Sequence, residues 1–279
     1  MAAMTFPAVC LSIGSSDTSG GAGIQGDLKT FTALSIHGLS VITAVNAQGL
    51  AGVADVMPIP EAHVRAQLEA LETDFTIGAI KVGWCPTVDV MRVVGRWLRQ
   101  HPRIPVVLDP VATDGRGIPQ MTPEMVEALR TDLLPRATIA TPNRFEAALL
   151  AGMEECLTRE DMEAAAIALR DRHGCSVLVT GGSSGTEALD VLAAIDGLRH
   201  FSTPAHPRPK VHGQGSCHAA AIAAGLARHD GLREAIVAAK LYIGAAIAAA
   251  PTTTTDRSVL WHAVTVREQV IAPPVAQDP

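Results

Sequence analysis

Lysine is scarce in this 279-residue chain: Lys29, Lys81, Lys210 and Lys240 are all there are. With 22 basic against 28 acidic side chains, the formal charge is −6. No polybasic patch can form, which reads against nucleic acid or an anionic membrane surface as a partner. Cysteine lacks pattern. Cys10, Cys85, Cys156, Cys175 and Cys217 are isolated, odd in number and without a Cys-x-x-Cys pair. Neither a disulfide framework nor a structural zinc site is indicated. No apolar run reaches the roughly 18 residues a membrane-spanning helix needs. The opening stretch MAAMTFPAVCLSIG has no basic residues ahead of its apolar ones, so a secretory signal is not expected and the chain reads as a cytoplasmic globular protein. There is no Pro/Ser-rich linker and no internal repeat. One domain is expected over residues 1–250, followed by an irregular Thr- and Pro-rich tail over 251–279. Hydrophobic residues make up 48% and charged residues 18%, which excludes disorder.

What is present alternates. Short apolar or β-branched runs at 8–13, 40–47, 77–82, 105–108, 137–141 and 176–180 predict strands. Longer patterns at 24–34, 61–75, 88–100, 123–133, 143–151 and 159–173 predict helices between them. Residues 188–195 and 198–201 predict a hairpin across Asp196-Gly197. Two Ala-rich helices are expected at 217–228 and 232–249. Such alternation implies an α/β fold, with a mostly parallel central sheet covered by helices on both faces. Ligands of such sheets sit beyond the carboxyl ends of the strands, and the chemistry-bearing motifs fall there.

After the first strand comes Gly14-Ser-Ser-Asp17-Thr-Ser-Gly20-Gly21-Ala22-Gly23-Ile-Gln-Gly26-Asp27. It contains a formal GxGxxG, but no acidic residue lies between Asp27 and Asp55 to hold a ribose, which speaks against a dinucleotide. No GxxxxGK[ST] occurs, which removes the P-loop kinases. What is left is a Gly-rich turn with free N–H groups and two carboxylates. Asp109-Pro110-Val111 follows another strand, where a carboxylate suits Mg²⁺ held through water. Asn143 and Glu146 lie one turn apart at a helix start, a spacing that a capping box alone would also produce. Finally, His212-Gly213-Gln214-Gly215-Ser216-Cys217-His218 leads into an Ala-rich helix, whose first N–H groups can hold anionic oxygens. His206, His212 and His218 are spaced by six, which fits no helix or strand face, so metal ligation by them is not expected.

The order of these motifs, rather than any one of them, resembles the ribokinase-like superfamily. More narrowly, the chain resembles the hydroxymethylpyrimidine/phosphomethylpyrimidine kinases of thiamin synthesis. Residues 14–31 (GSSDTSGGAGIQGDLKTF) are close to that family's GSDPSGGAGIQADLKTF. Further matches are SVITAVNAQ at 40–48, IKVG at 80–83, LDPV at 108–111, TPNRFEAALL at 141–150 and AAIAAGLA at 220–227. The resemblance implies a single-domain three-layer sandwich, ATP and Mg²⁺ as cofactors, a small pyrimidine substrate and a homodimer. It implies that Gly14, Asp17, Ala22, Asp27, Gln48, Trp84 and Val111 surround the substrate, with Gln48 reading the aminopyrimidine edge. Asn143, Glu146, Thr180 and Gly182 would meet ATP, and Asp109 and Glu146 the metal. Gly213, Gln214 and Gly215 would form the anion hole, with Ser216 at the catalytic position.

Three positions depart from the family pattern. Ser216 stands where the family has the Cys that receives the proton of the attacking hydroxyl, and Cys217 falls one position late. Thr180 stands where the family has a Lys, which leaves Arg116, Arg208 or Lys210 as candidate substitutes. Trp84 replaces a pocket Met. A pyridoxal-type kinase and a catalytically weakened pyrimidine-binding or regulatory protein remain the alternative readings.

Overall fold

The computed structural model describes residues 7–114, 117–184, 186–206, 211–251 and 257–264. Its frame is one nine-stranded sheet in the order β3-β2-β1-β4-β5-β6-β7-β8-β9. The inner strands are β1 (Val9–Asp17), β2 (His37–Gly49), β4 (Ala79–Val82), β5 (Val106–Leu108), β6 (Ile139–Ala140) and β7 (Ser176–Ser184). They pair in parallel. The two margins are antiparallel: β3 (Gly52–Pro58) on β2, and β8 (Glu187–Ala194) with β9 (Gly197–Pro204) beyond β7. The expected α/β sandwich with a mostly parallel sheet is what forms.

Alternation along the strands divides the core in two. Leu11, Ile80, Val106, Leu108 and Val177 point to one face. There they meet α2 (Glu61–Glu69), α3 (Val88–Gln100), α4 (Pro123–Ala128), α5 (Arg144–Ala151) and α6 (Arg159–His173). Cys10, Ala79, Val107, Ile139 and Leu178 point to the other. There they meet α1 (Gly23–Ala33), α7 (Gln214–Ala227) and α8 (Leu232–Ala248). Local signals start the helices where expected. Thr87 accepts from the Val90 N–H to cap α3, and α5 and α6 both open with capping boxes.

Several boundaries differ from the sequence reading. β3 was not expected, because six of its seven residues are exposed and the run carries no burial alternation. The helix expected over 61–75 stops at Glu69, and the one expected over 123–133 widens after Ala128 into a π turn, Leu129–Leu133. α7 begins three residues early, at Gln214, because Gly213 takes the left-handed conformation and starts it there. The tail expected to be irregular contributes a strand: β11 (Ser258–Val259) pairs in parallel with β10 (Val211–His212), just ahead of α7. Among the described residues, no helix is long and apolar enough to cross a membrane.

Candidate active site

β1 ends at Asp17, and the chain turns through Ser19, Gly20 and Gly21 into α1. Asp17 builds that turn. Its Oδ1 accepts from the Ser19 N–H and its Oδ2 from the Ala22 N–H, both at 2.8 Å. Nε2 of His212 lies 2.9 Å from the same Oδ2. Burial alone would raise the Asp17 pKa, but the bonds from His212, Ser19 and Ala22 outweigh it and hold the carboxyl down at about 2. Asp17 thus enters the site as the brace of the turn, with its oxygens engaged, rather than as an open substrate contact. Lys29 donates to the Gly20 carbonyl at 2.7 Å and clips the turn from outside.

His212 also faces the substrate wall. Its Nε2 is 3.3 Å from Nε2 of Gln48, whose Oε1 lies 3.4 Å from the Asn46 amide. Gly14 and Trp84 come together nearby: a Cβ on Gly14 would lie 3.9 Å from the Trp84 N. The Trp84 indole N–H is buried and has no hydrogen-bond partner among the described residues. Val111 has φ +47°, a left-handed conformation that a β-branched residue rarely adopts. The residues beside it are pinned. Glu146 Oε1 accepts from the Ala112 N–H at 3.0 Å and the Thr113 N–H at 3.4 Å, while its Oε2 accepts from the Asn143 N–H at 2.9 Å. Strain of this kind persists where the surroundings over-determine it, and here Glu146 does so. Burial, reinforced by Asp109, pushes the Glu146 pKa up to about 8, against the pull of those three N–H groups. The capping box foreseen for Asn143 and Glu146 is present, and Glu146 additionally clamps the Asp109–Thr113 turn.

The centre of the site is α7's first turn. Gly213 has φ +88°, and a Cβ there would lie 1.8 Å from the Gly21 carbonyl oxygen, so only Gly lets this turn rest on Gly21 and Ala22. No side chain caps α7. The N–H groups of Gln214, Gly215 and Ser216 therefore have no intrahelical acceptor and remain available to anionic oxygens. Behind them lies a buried charged cluster. Lys81 Nζ sits 2.7 Å from Ser216 Oγ, 3.1 Å from Asp27 and 3.5 Å from Asp109. Burial opposes the Lys81 charge, but the Asp27 and Asp109 carboxylates overcome it and carry the ammonium pKa above its usual value. Asp27 also accepts from Ser12 Oγ at 2.6 Å and from Ser216 Oγ at 3.3 Å, and it is fully buried. It stands beneath the site rather than along the substrate wall where it was placed from sequence. Burial, with Asp27 adding to it, raises the Asp109 pKa against the pull of Lys81 and Ser216, and Lys81 is the ion-pair partner of Asp109 Oδ2.

Ser216 and Cys217 divide clearly. Ser216 faces the charged cluster. Cys217 is wholly buried with its thiol on the Gly21 carbonyl, and burial pushes its pKa up to about 12. It cannot serve as a replacement base.

On the other side of the same turn lies a cavity lined by Thr180, Gly182, Asp190, Gln214, Gly215 and Lys240, among others. Thr180 is held there by a 2.8 Å bond from its N–H to the Pro142 carbonyl, and Gly182 takes φ +63°. Lys240 is the sole Lys or Arg among the described lining residues, and it pairs with Asp190 at 2.7 Å. Arg116, Arg208 and Lys210, the candidates read from sequence, lie outside the described residues.

Against known proteins, the chain matches the phosphomethylpyrimidine kinase model over residues 17–260. The chain belongs to that family. It is 41% identical over 244 residues to the hydroxymethylpyrimidine/phosphomethylpyrimidine kinase of Rhizobium meliloti, covering 87% of this chain and 91% of the relative. It is 37% identical to a pyridoxine kinase of Bacillus subtilis, covering 85% of this chain and 89% of that one. A solved ADP complex of Bacillus subtilis pyridoxal kinase superposes with a TM-score of 0.85 at 34% identity, over 92% of this chain and 97% of the other. In this member of the phosphomethylpyrimidine kinase family, the sequence motifs did not assign Lys81, His212, Asp190 or Lys240 to the site, although the structure sets them beside the residues that were assigned. A single Lys inside the apolar strand Ala79–Val82 was a signal, since a buried lysine demands partners.

Proposed function

We propose that this phosphotransferase moves the γ-phosphoryl group of ATP to the hydroxymethyl oxygen of an aminopyrimidine, and then a second phosphoryl group to the resulting monophosphate. The observation that carries the reading is α7's first turn. Gln214 and Gly215 face the cavity, Gly213 rests on the Gly-rich turn, and Ser216 touches the buried Lys81–Asp27 cluster. Nucleotide on one side and acceptor on the other would meet over uncapped N–H groups. Phosphoryl transfer is mostly positioning and charge neutralisation, and this turn offers both.

Each part has a defined task. Gln48, whose Oε1 accepts from the Asn46 amide, presents an amide donor and acceptor to a ring nitrogen and its exocyclic amine. Gly14, Ala22, Trp84 and Val111 shape the ring pocket. Thr180 and Gly182 border the nucleotide, while Asn143 and Glu146 fix the turn that carries Asp109 and Val111. Asp109 Oδ2, which has the Lys81 ammonium at 3.5 Å and no closer donor, would hold a hydrated divalent cation. Among the described residues there is no cluster of three metal-ligating side chains, a pattern that suits Mg²⁺ carried on phosphates and water. When bound there, Mg²⁺ neutralises phosphate charge.

We place the homodimer implied by the resemblance on the sheet margin rather than on the Ala-rich helices. α7 is buried inside the fold, so its alanines are spent there. Val45 and its ladder partner Met57 leave an exposed apolar pair on the β2–β3 hairpin, and this face suits a second copy. Light scattering on the purified chain checks it, and a monomer mass rejects it.

The decisive test is ADP release from Mg-ATP with hydroxymethylpyrimidine, its monophosphate and pyridoxal in parallel. Turnover on the first two supports the reading. Turnover on pyridoxal alone replaces it with a pyridoxal-type kinase, for which Trp84 at the ring pocket is the structural argument.

A further inference from the structure

The family's proton-accepting Cys is absent, and Cys217 is turned into the core. We propose that Ser216 and Asp27 form a two-step proton relay, aligned by Lys81 as a positioning residue, that draws the proton of the attacking hydroxyl into the interior. The proposal rests on the kinase reading above and assigns the residues that replace the missing thiol.

The donor and acceptor inventory fixes the direction of the chain. An ammonium group only donates, so Ser216 Oγ must accept from Lys81 at 2.7 Å. An ionised carboxylate only accepts, and the single Ser216 hydrogen has Asp27 Oδ1 at 3.3 Å, with the Asp109 carboxyl beside the same hydroxyl. One lone pair of Oγ remains, and it can only receive a donor. Ser216 is the third residue of α7 and does not line the nucleotide cavity that Gln214 and Gly215 face, so on the two-sided arrangement proposed above the donor arriving there is the acceptor substrate's hydroxyl. Asp27 is held in place from behind by Ser12 Oγ at 2.6 Å and by Lys81 at 3.1 Å. Lys81 in turn needs Gly83, since a Cβ there would lie 2.8 Å from Nζ.

In the transfer step the hydroxymethyl oxygen forms its bond to the γ-phosphorus. The bond from that phosphorus to the bridging oxygen breaks, and ADP leaves with the electron pair. The hydroxyl proton passes to Ser216 Oγ as Ser216's own proton passes to Asp27 Oδ1. When product leaves, the proton returns outward through Ser216. A Ser hydroxyl is a poor base alone; as a conduit to a carboxylate it need not be one.

Single-turnover kinetics with Mg-ATP and hydroxymethylpyrimidine test this. Ser216→Ala should slow the transfer step about 100-fold, the low end for a positioned proton acceptor, with ATP affinity unchanged. Asp27→Asn should cost a similar factor, and adding Ser216→Cys to Asp27→Asn should restore most of it, because a thiol can itself ionise. Ser216→Ala at wild-type rate overturns the relay, as does a folded Asp27→Asn/Ser216→Cys protein no faster than folded Asp27→Asn. Should Asp27→Asn not fold, the wild-type rate in mixtures of light and heavy water decides. Two protons in flight give a bowed dependence, and a straight line overturns the relay. A wild type inactive on every pyrimidine offered rejects the substrate reading first, and the relay with it.

Discussion

The two faces of the sheet are packed by opposite means. On one, α3 and its neighbours press Met91, Val94, Trp97 and Leu98 against Leu11 and Ile80. On the other, α7 lays Ala219, Ala220, Ala221, Ala223 and Ala224 against Cys10, Ala79 and Val107. Large side chains gain burial energy, about 25 cal/mol for each Å² removed from water. Small ones let a helix axis approach the sheet. The α7 face takes its bulk from Phe31 and Tyr242 rather than from α7, and it is the face of the proposed catalytic turn, because only a closely seated α7 can bring its first turn onto Gly21 and within 2.7 Å of Lys81. Stability and geometry are thus entrusted to different sides of one sheet.

That division can be broken from either side. Leu98→Ala, on the bulky face, should cost the most stability, about 3 kcal/mol, with turnover of the folded protein unchanged; denaturant melts and kcat report both. On the small-residue face, Gly225→Ala places a Cβ 2.7 Å from the Ala235 Cβ and 3.0 Å from its Cα. It should cost about 2 kcal/mol and, by pushing α7 and α8 apart, also lower kcat. Equal kinetic effects from the two variants would sink the division of labour.

Charge rather than packing holds the sheet's carboxyl end. The Asp17 pKa is lowered in the fold from 3.8 to about 2, so its stabilisation is present above pH 4 and fades as pH falls towards 2. Asp17→Asn should be less stable at pH 7 by about 2 kcal/mol, and its stability curve should approach that of wild type below pH 4. A constant gap across that range would rule out the linkage. The smallest effect belongs to Cys217→Ala, about 1 kcal/mol of stability with kcat held, in contrast to Ser216→Ala one residue away.

Most of the parallel core was legible in the sequence, because β1, β4, β5 and β7 are buried on both faces and appear as apolar runs. β3 was not, since an exposed hairpin strand leaves no such trace. Helix ends were misplaced where conformation overrode composition: Gly213 started α7 early, and a π turn ended α4. For the site, motif order indicated which strand ends would converge: Gly14 lies beside Gly83 and Trp84, Gln48 beside His212, and Ser216 beside Lys81. The sequence was silent on which carboxylates stay open. Asp17 and Asp27 look alike on paper, yet one is consumed by backbone N–H groups and the other by Lys81 and two hydroxyls. Only three-dimensional partners distinguish them. The role proposed for Ser216 likewise depends on Lys81, which lies far from it in the chain.

The strand pair that precedes α7 sets a clock. β11 joins β10, and a Cβ on Gly21 would lie 3.1 Å from the Val259 side chain, so nearly the first and nearly the last described residues meet at the catalytic turn. During synthesis, at about 5–20 residues per second, a nascent chain completes every strand of the main sheet and both Ala-rich helices before Ser258 and Val259 emerge. Until they do, β10 has no parallel partner, so among the described residues the strand pair that leads into α7 is the last to be completed.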